Sequence, residues 1–224
     1  MTKLNLGGLD GLVSDFEAVL KNGSEEDVQQ FLIANDILLD GFSEYGGVIK
    51  LSKVKLGAEH VTDFVLLHAV PKYSNSRRPG ITLVEIERPD CPLFTKSGDP
   101  AAALTHAIRQ TQDWSMWIQA NRDYASKTIQ QSLEKLVKKQ QVNAMGRLSA
   151  VFDNGEVEEA ADCMARVGFG ERYLIIAGRR HSLSMLDRLR LERLNEESRQ
   201  TSIVTYDDLL DRFLRRVRWA RQFE

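Results

Sequence analysis

Three stretches with strand-like patterning fall between residues 47 and 87, and this run constrains the fold more than any other feature. Gly47–Leu56 reads as a strand whose alternation slips near Ser52, as a bulge would produce. Gly57-Ala58-Glu59 is a short turn and His60–Leu67 a second strand. The loop Pro71–Gly80, with Lys72, Arg77 and Arg78, leads into a third, Ile81–Glu87. Short connections between successive strands favour an antiparallel meander. Such a sheet needs helices to cover it.

The rest of the chain supplies them. Leu9, Leu12, Val13, Phe16, Val19 and Leu20 recur at three- and four-residue steps, predicting an amphipathic helix that Gly23 breaks. Ser24 has the character of an N-cap with Asp27 at the capping-box position. Val28, Phe31 and Leu32 give that second helix its apolar face, and it should stop near Asn35-Asp36. Asp99 can cap a further helix with Pro100 in its first turn. From Ala101 this helix carries Leu104, Ala107, Ile108, Trp114, Trp117 and Ile118 on a helical period. Residues 126–168 read as more helix, broken near Asp153-Asn154-Gly155. Tyr173–Ala177 is a short buried strand ended by Gly178. A helix from Ser184 to about Asn195, a strand Ser202–Thr205 and a last helix with Leu209, Leu210, Phe213, Leu214 and Val217 complete the chain. The order is ααβββα, a helical insertion over about 121–170, then βαβα. That is a mixed α/β (α+β) domain over 24–224, preceded by an N-terminal helix over 1–23.

Composition narrows the class. With 42% hydrophobic and 28% charged residues in 224, the chain reads as soluble and globular. Apolar runs such as Phe64–Val70 are far shorter than the roughly 18 residues of a membrane span. No secretory pattern opens the sequence, and Cys91 and Cys163 are too far apart for a disulfide framework, so a cytoplasmic setting is expected. Gly46-Gly47 is not followed by the G-K-[S/T] of a phosphate loop, so no nucleotide cofactor is expected. Residues 1–170 hold 18 Lys+Arg against 23 Asp+Glu, whereas 171–224 hold 12 arginines, no lysine and 9 acids. Arginine suits bidentate contacts to carboxylate or phosphate. The net charge of −2 argues against a protein that coats nucleic acid without selection.

The carboxylates stand out. Strand alternation puts Glu85 and Glu87 on one side of the third strand. Asp63 shares its face of the second strand with Val61, Val65 and Leu67, an unfavourable place for a charge without compensation. If the strands are neighbours, three carboxylates can converge, and a divalent cation would relieve their repulsion. Oxygen donors of this kind suit Mg²⁺ or Mn²⁺. In the alternative, Glu85 and Glu87 are the wet end of an amphipathic strand and Asp63 pairs with a lysine or arginine from the loop.

Several short segments resemble the Shedu nuclease domain, a branch of the PD-(D/E)xK restriction-endonuclease-like superfamily. They are Glu26–Leu39, His60-Val-Thr-Asp-Phe-Val-Leu-Leu67 with Leu83-Val-Glu-Ile-Glu-Arg-Pro89, Ala107–Trp114, Tyr173–Arg180 and Thr205-Tyr-Asp-Asp-Leu-Leu210. The resemblance covers most of residues 24–214. It implies a restriction-endonuclease-like αβββαβ core and a metal-dependent endonuclease that cuts or nicks DNA in anti-phage defence. It further implies that Asp63 and Glu85 bind the metal and that Gln110 points into the site. The family usually has lysine where this chain has Glu87. A glutamate cannot stabilise developing negative charge, but it can act as general base or as a third metal ligand. Lys72 and Lys96, in flanking loops, are candidates for a displaced lysine.

Secondary candidates are Glu26, an ordinary first-turn acid in the alternative, and His106, four residues before Gln110 on one helix face. Arg88, Arg179 and Arg180 could clamp DNA phosphates or pair with the surplus acids. Trp114 and Trp117 read as core or subunit interface, the latter in keeping with an expected homo-oligomer. The leading expectation is therefore a Mg²⁺- or Mn²⁺-dependent deoxyribonuclease. The alternative is a family member without catalysis that binds nucleic acid or serves as a scaffold. A sugar hydrolase fits poorly, because its two carboxylates must flank a bond from opposite sides.

Overall fold

The computed structural model describes residues 6–42, 48–68, 80–142 and 170–221. Its helices are α1 (Leu6–Asn22), α2 (Glu25–Ala34), α3 (Ala102–Ala120), α4 (Arg122–Val142), α5 (Met185–Glu197) and α6 (Tyr206–Arg221). Its strands are β1 (Val48–Leu56), β2 (His60–His68), β3 (Gly80–Ile86), β4 (Gly170–Ile176) and β5 (Thr201–Val204). They form one mixed sheet in the order β1-β2-β3-β4-β5, with β1 antiparallel to β2 and β4 parallel to β5. The parallel pair follows from the crossover through α5, since a helix between two strands returns the chain in the same direction. The chain divides into two compact units, and β3 and α3 each begin in one and end in the other.

The first unit contains Ser43–Leu83 and Asp113–Arg172. Its β1–β2 hairpin turns at Gly57, whose φ of 69° is the left-handed conformation that glycine tolerates best. A Cβ there would lie 2.8 Å from the Trp117 ring, so the turn and the indole exclude any larger residue. Trp117 in turn meets Tyr124 edge-on with ring centroids 5.8 Å apart. Within this unit α4 packs on β1, burying Ala125, Ile129 and Leu133. Arg122 bonds Glu171 at 2.6 Å and starts α4 four residues before the helical pattern predicts.

The second unit contains Leu4–Phe42, Val84–Gln112 and Tyr173–Glu224. Its core gathers Leu93, Leu104, Ala107, Ile175, Leu191 and Ile203 between the strands and the helices that flank them. Phe16 of α1 stacks on Phe31 of α2 and meets Tyr206 of α6 edge-on. Three helices start on the same device, a hydroxyl residue followed three positions later by aspartate. Ser24 with Asp27 and Ser184 with Asp187 form complete capping boxes, and Thr205 with Asp208 makes the same exchange.

Two local expectations are corrected. Asp99 does not cap α3, which begins at Ala102, where the carbonyl of Ala101 takes the first helical bond from Thr105. Pro100 instead bridges to Phe94 and closes a small loop, while Asp99 accepts the Ser97 hydroxyl at 2.9 Å. Thr205 is not the end of β5 but the cap of α6. The expected break near Asp153-Asn154-Gly155, Cys163 and Lys72 lie outside the described residues. Among the described residues no helix is long and apolar enough to cross a membrane.

Candidate functional site

Asp63 stands where β2 passes from exposed to buried. On its face Val61 is 41% exposed and Val65 fully covered, while Asp63 itself is 9% exposed. That burial strips most of the water from a carboxylate and calls for a counter-charge. Lys53 of β1 provides one, with Nζ 3.3 Å from Oδ1. Ser52 pairs with Phe64 and Val54 with Thr62, so Lys53 and Asp63 face each other between those rungs. The register is the same on both sides, and no residue is inserted. The slip near Ser52 is therefore not a bulge. It comes from Lys53 itself, whose φ of 51° is left-handed. Leu51 is buried before this point and Val54 and Leu56 after it, so the kink moves the buried side chains of β1 from one face to the other.

Glu85 and Glu87 belong to the second unit. Glu85, near the end of β3, is 8% exposed, and Ile81 and Leu83 on its face are fully buried. Glu87 directly follows the strand. Its N–H donates to the Ile176 carbonyl at 2.9 Å, and its own carbonyl accepts the Tyr206 hydroxyl at 2.7 Å. Its carboxylate Oε1 lies 3.7 Å from His106 Nδ1. The Glu87 side chain is largely covered, whereas His106 is open to solvent. Gln110, half-buried, follows His106 by one helical turn. The structure thus brings Glu87 and His106 together, and Asp63 together with a lysine that sequence reasoning passed over.

The three candidate arginines, Arg88, Arg179 and Arg180, are each engaged by carboxylates. Arg88 makes a two-pronged bond to Asp90 at 2.9 and 2.6 Å, which raises its own affinity for the proton. Together with Asp90 and Glu26 it lines a cleft of about 600 Å³ beside the end of α1. Glu26 is exposed there and accepts the Gln30 amide at 2.7 Å. Arg179 reaches Asp207 through two nitrogens at 3.1 and 2.9 Å and Glu17 at 2.8 Å. Arg180 bonds Asp208 at 2.6 Å and Asp211 at 2.7 Å. Burial pushes the Asp207 carboxyl up, but Arg179 and the Arg180 amide outweigh it and hold it below the ordinary carboxylate range. Asp208 is lowered in the same way, its burial outweighed by the Thr205 amide and hydroxyl and by Arg180. Lys96 is exposed in the loop that Pro100 closes.

Whether these residues suit a divalent cation follows from the donors. Among the described residues no three His, Cys, Asp or Glu side chains are gathered as a ready metal cage. Mg²⁺ asks for less, since it combines one or two carboxylates with water and substrate phosphate. Asp63 and Glu85 are each a hard oxygen donor, nearly buried in an apolar strand, and each is of the donor type such a cation takes.

A family model described as Shedu protein SduA, C-terminal, matches residues 22–210. The chain belongs to that family. No curated protein matches it. The Shedu match begins just before the Ser24 cap and ends within α6, so it takes in all five strands. Its Thr205-Tyr-Asp-Asp segment has a structural explanation in this chain. Thr205 caps the helix, Tyr206 secures the Glu87 carbonyl, and Asp207 and Asp208 receive Arg179 and Arg180.

Proposed function

We propose that this Shedu protein is a Mg²⁺- or Mn²⁺-dependent endonuclease with a restriction-endonuclease-like core, acting on phage DNA. Family membership suggests the defence role, and the observation that carries the chemistry is a pair of nearly buried carboxylates in apolar strands, Asp63 and Glu85. A side-chain contact supports their pairing. His68 Nε2 lies 2.8 Å from Thr82 Oγ1, so these two residues share a face of β2 and β3. Alternation then assigns Asp63 and Glu85 to the other face of their strands.

In this reading Asp63 and Glu85 hold the cation. When bound, the cation supplies Lewis-acid activation of water and screens the phosphoryl charge. Glu87 accepts the proton of the attacking water at Oε1, with His106 beside that oxygen to take the proton onward. Gln110 orients water or phosphate from the next turn of α3. Arg88 can exchange Asp90 for a DNA phosphate, because both partners are more than half exposed.

The test is plasmid cleavage. Purified protein with Mn²⁺ should nick supercoiled DNA, and Asp63→Ala and Glu85→Ala should abolish both cutting and calorimetric Mn²⁺ binding. A second reading, a DNA-binding or scaffold member without catalysis, is favoured by the pairing of Asp63 with Lys53 and by the glutamate at the lysine position. Folded protein that cuts neither DNA nor RNA with any divalent cation decides for that second reading.

A further inference from the structure

The acids of the site draw in a cation, but phosphate cleavage also needs fixed positive charge near the phosphate oxygens. Glu87 cannot provide it, Arg179 and Arg180 are held by carboxylates, and Arg88 must first give up its two-pronged bond to Asp90. We propose that Lys53 is the phosphate-contacting cation of the Asp63 site, and that its ion pair with Asp63 is a resting arrangement which divalent cation and DNA phosphate together replace. The inference rests on the nuclease reading and adds to it a residue outside the segments that carry the family resemblance.

Position is the first argument. Lys53 lies directly across the β1–β2 ladder from Asp63, and its ammonium touches the very carboxylate assigned to the metal. A phosphate bound to a cation on Asp63 would come within the sweep of this four-carbon side chain.

Backbone conformation is the second. Among the described residues Lys53 is the one non-glycine with positive φ, at 51°. Lysine gains nothing from that conformation, which glycine would adopt without a Cβ clash and asparagine more readily. Local strain of this kind persists where the surrounding structure enforces it, and such positions concentrate at functional sites.

Exposure is the third. The Lys53 side chain is 49% exposed and that of Asp63 only 12%. The ammonium can therefore leave for an incoming ligand while the carboxylate stays in place. Its contact at 3.3 Å is also longer than the 2.6 Å of Arg180 on Asp208. A half-exposed lysine pair at that distance exchanges at little cost. Lysines along an outer strand also discourage edge-to-edge association, and Lys55, exposed two residues on, is the control for that explanation.

The experiment compares Lys53→Gly, Lys53→Arg and Lys55→Gly in the full chain. Glycine relieves the positive-φ strain while leaving Asp63 without this counter-charge, so the two effects offset and Lys53→Gly should melt within a few degrees of wild type. Its DNA affinity, measured with Ca²⁺ to hold the substrate uncut, should fall by roughly tenfold, and the salt dependence should lose about one unit of slope. Mn²⁺ should bind the free protein severalfold more tightly, because the competing ammonium has gone. Cleavage should fall with DNA affinity, recover in part in Lys53→Arg, and change little in Lys55→Gly. Lys53→Gly that binds and cuts DNA like wild type overturns the inference while leaving the nuclease reading intact. So does a large fall in melting temperature with no change in Mn²⁺ affinity, which marks a structural ion pair. Wild-type protein that cuts nothing overturns the nuclease reading and this inference with it.

Discussion

Asp207 and Asp63 are each met by a cation, and the two settings are built differently. Asp207 receives two guanidinium nitrogens of Arg179 and the Arg180 amide at 2.6 Å, at the start of a helix that Thr205 and Asp208 cap. Arg179 is 12% exposed and also holds Glu17 of α1. Asp63 has Lys53, half in solvent, at 3.3 Å across a left-handed backbone. In the first case the charges complete backbone hydrogen bonding and join α1 to α6. In the second the pair sits on a distorted rung of the ladder. A multiply bonded, covered guanidinium is cement, whereas a half-exposed ammonium is exchangeable.

The contrast can be broken by removing either half. Arg179→Met should cost the most, about 3 kcal/mol, because Asp207 and Glu17 then keep their charge beside an apolar side chain. Urea unfolding measures it, and a loss under about 1 kcal/mol would place Arg179 among ordinary surface pairs.

Acid should give a smaller effect with a definite sign. The folded pKa values of Asp207 and Asp208 lie below their ordinary carboxylate values. The stabilisation is therefore present above the unfolded value of about 4 and is lost as pH falls through the folded values. Unfolding free energy should drop more steeply below about pH 4 in wild type than in a variant carrying Asp207→Asn and Asp208→Asn. Equal slopes would remove these two groups from the acid response.

The smallest effect belongs to Asp63→Asn. It should change stability by less than about 1 kcal/mol, since asparagine keeps the shape of the buried side and the lysine it leaves is half in solvent. A melting curve checks this. A loss larger than that of Arg179→Met would invert the comparison.

Period and cap carried most of the fold in the sequence. The β1–β2 hairpin, the third strand, the Ser24 capping box and the order of elements through α6 stand as the residues foretold, with ends shifted by a few positions. Tertiary contacts explain the shifts. The Arg122 bond to Glu171 joins residues far apart in sequence, and no window around residue 122 contains it. The Asp99-Pro100 pair had good cap chemistry, but a bridge to Phe94 claimed it first. At the candidate site, alternation singled out Asp63 and Glu85, and the structure finds both nearly buried. Lys53 escaped because alternation marks a slip without saying whether an extra residue or a positive φ causes it. Tyr206 escaped because its hydroxyl acts on a backbone carbonyl, which leaves no pattern of its own. The Thr-x-x-Asp cap around it was legible and would have fixed the start of α6.

The bond from Tyr206 to Glu87 spans 119 residues. During synthesis the acidic strand leaves the ribosome long before the tyrosine that fastens its end. Closing so long a loop is slow compared with forming a hairpin or a helix. A half-made chain thus has its carboxylates but not their clasp, and the end of the acidic strand is secured only once the last helix has been made.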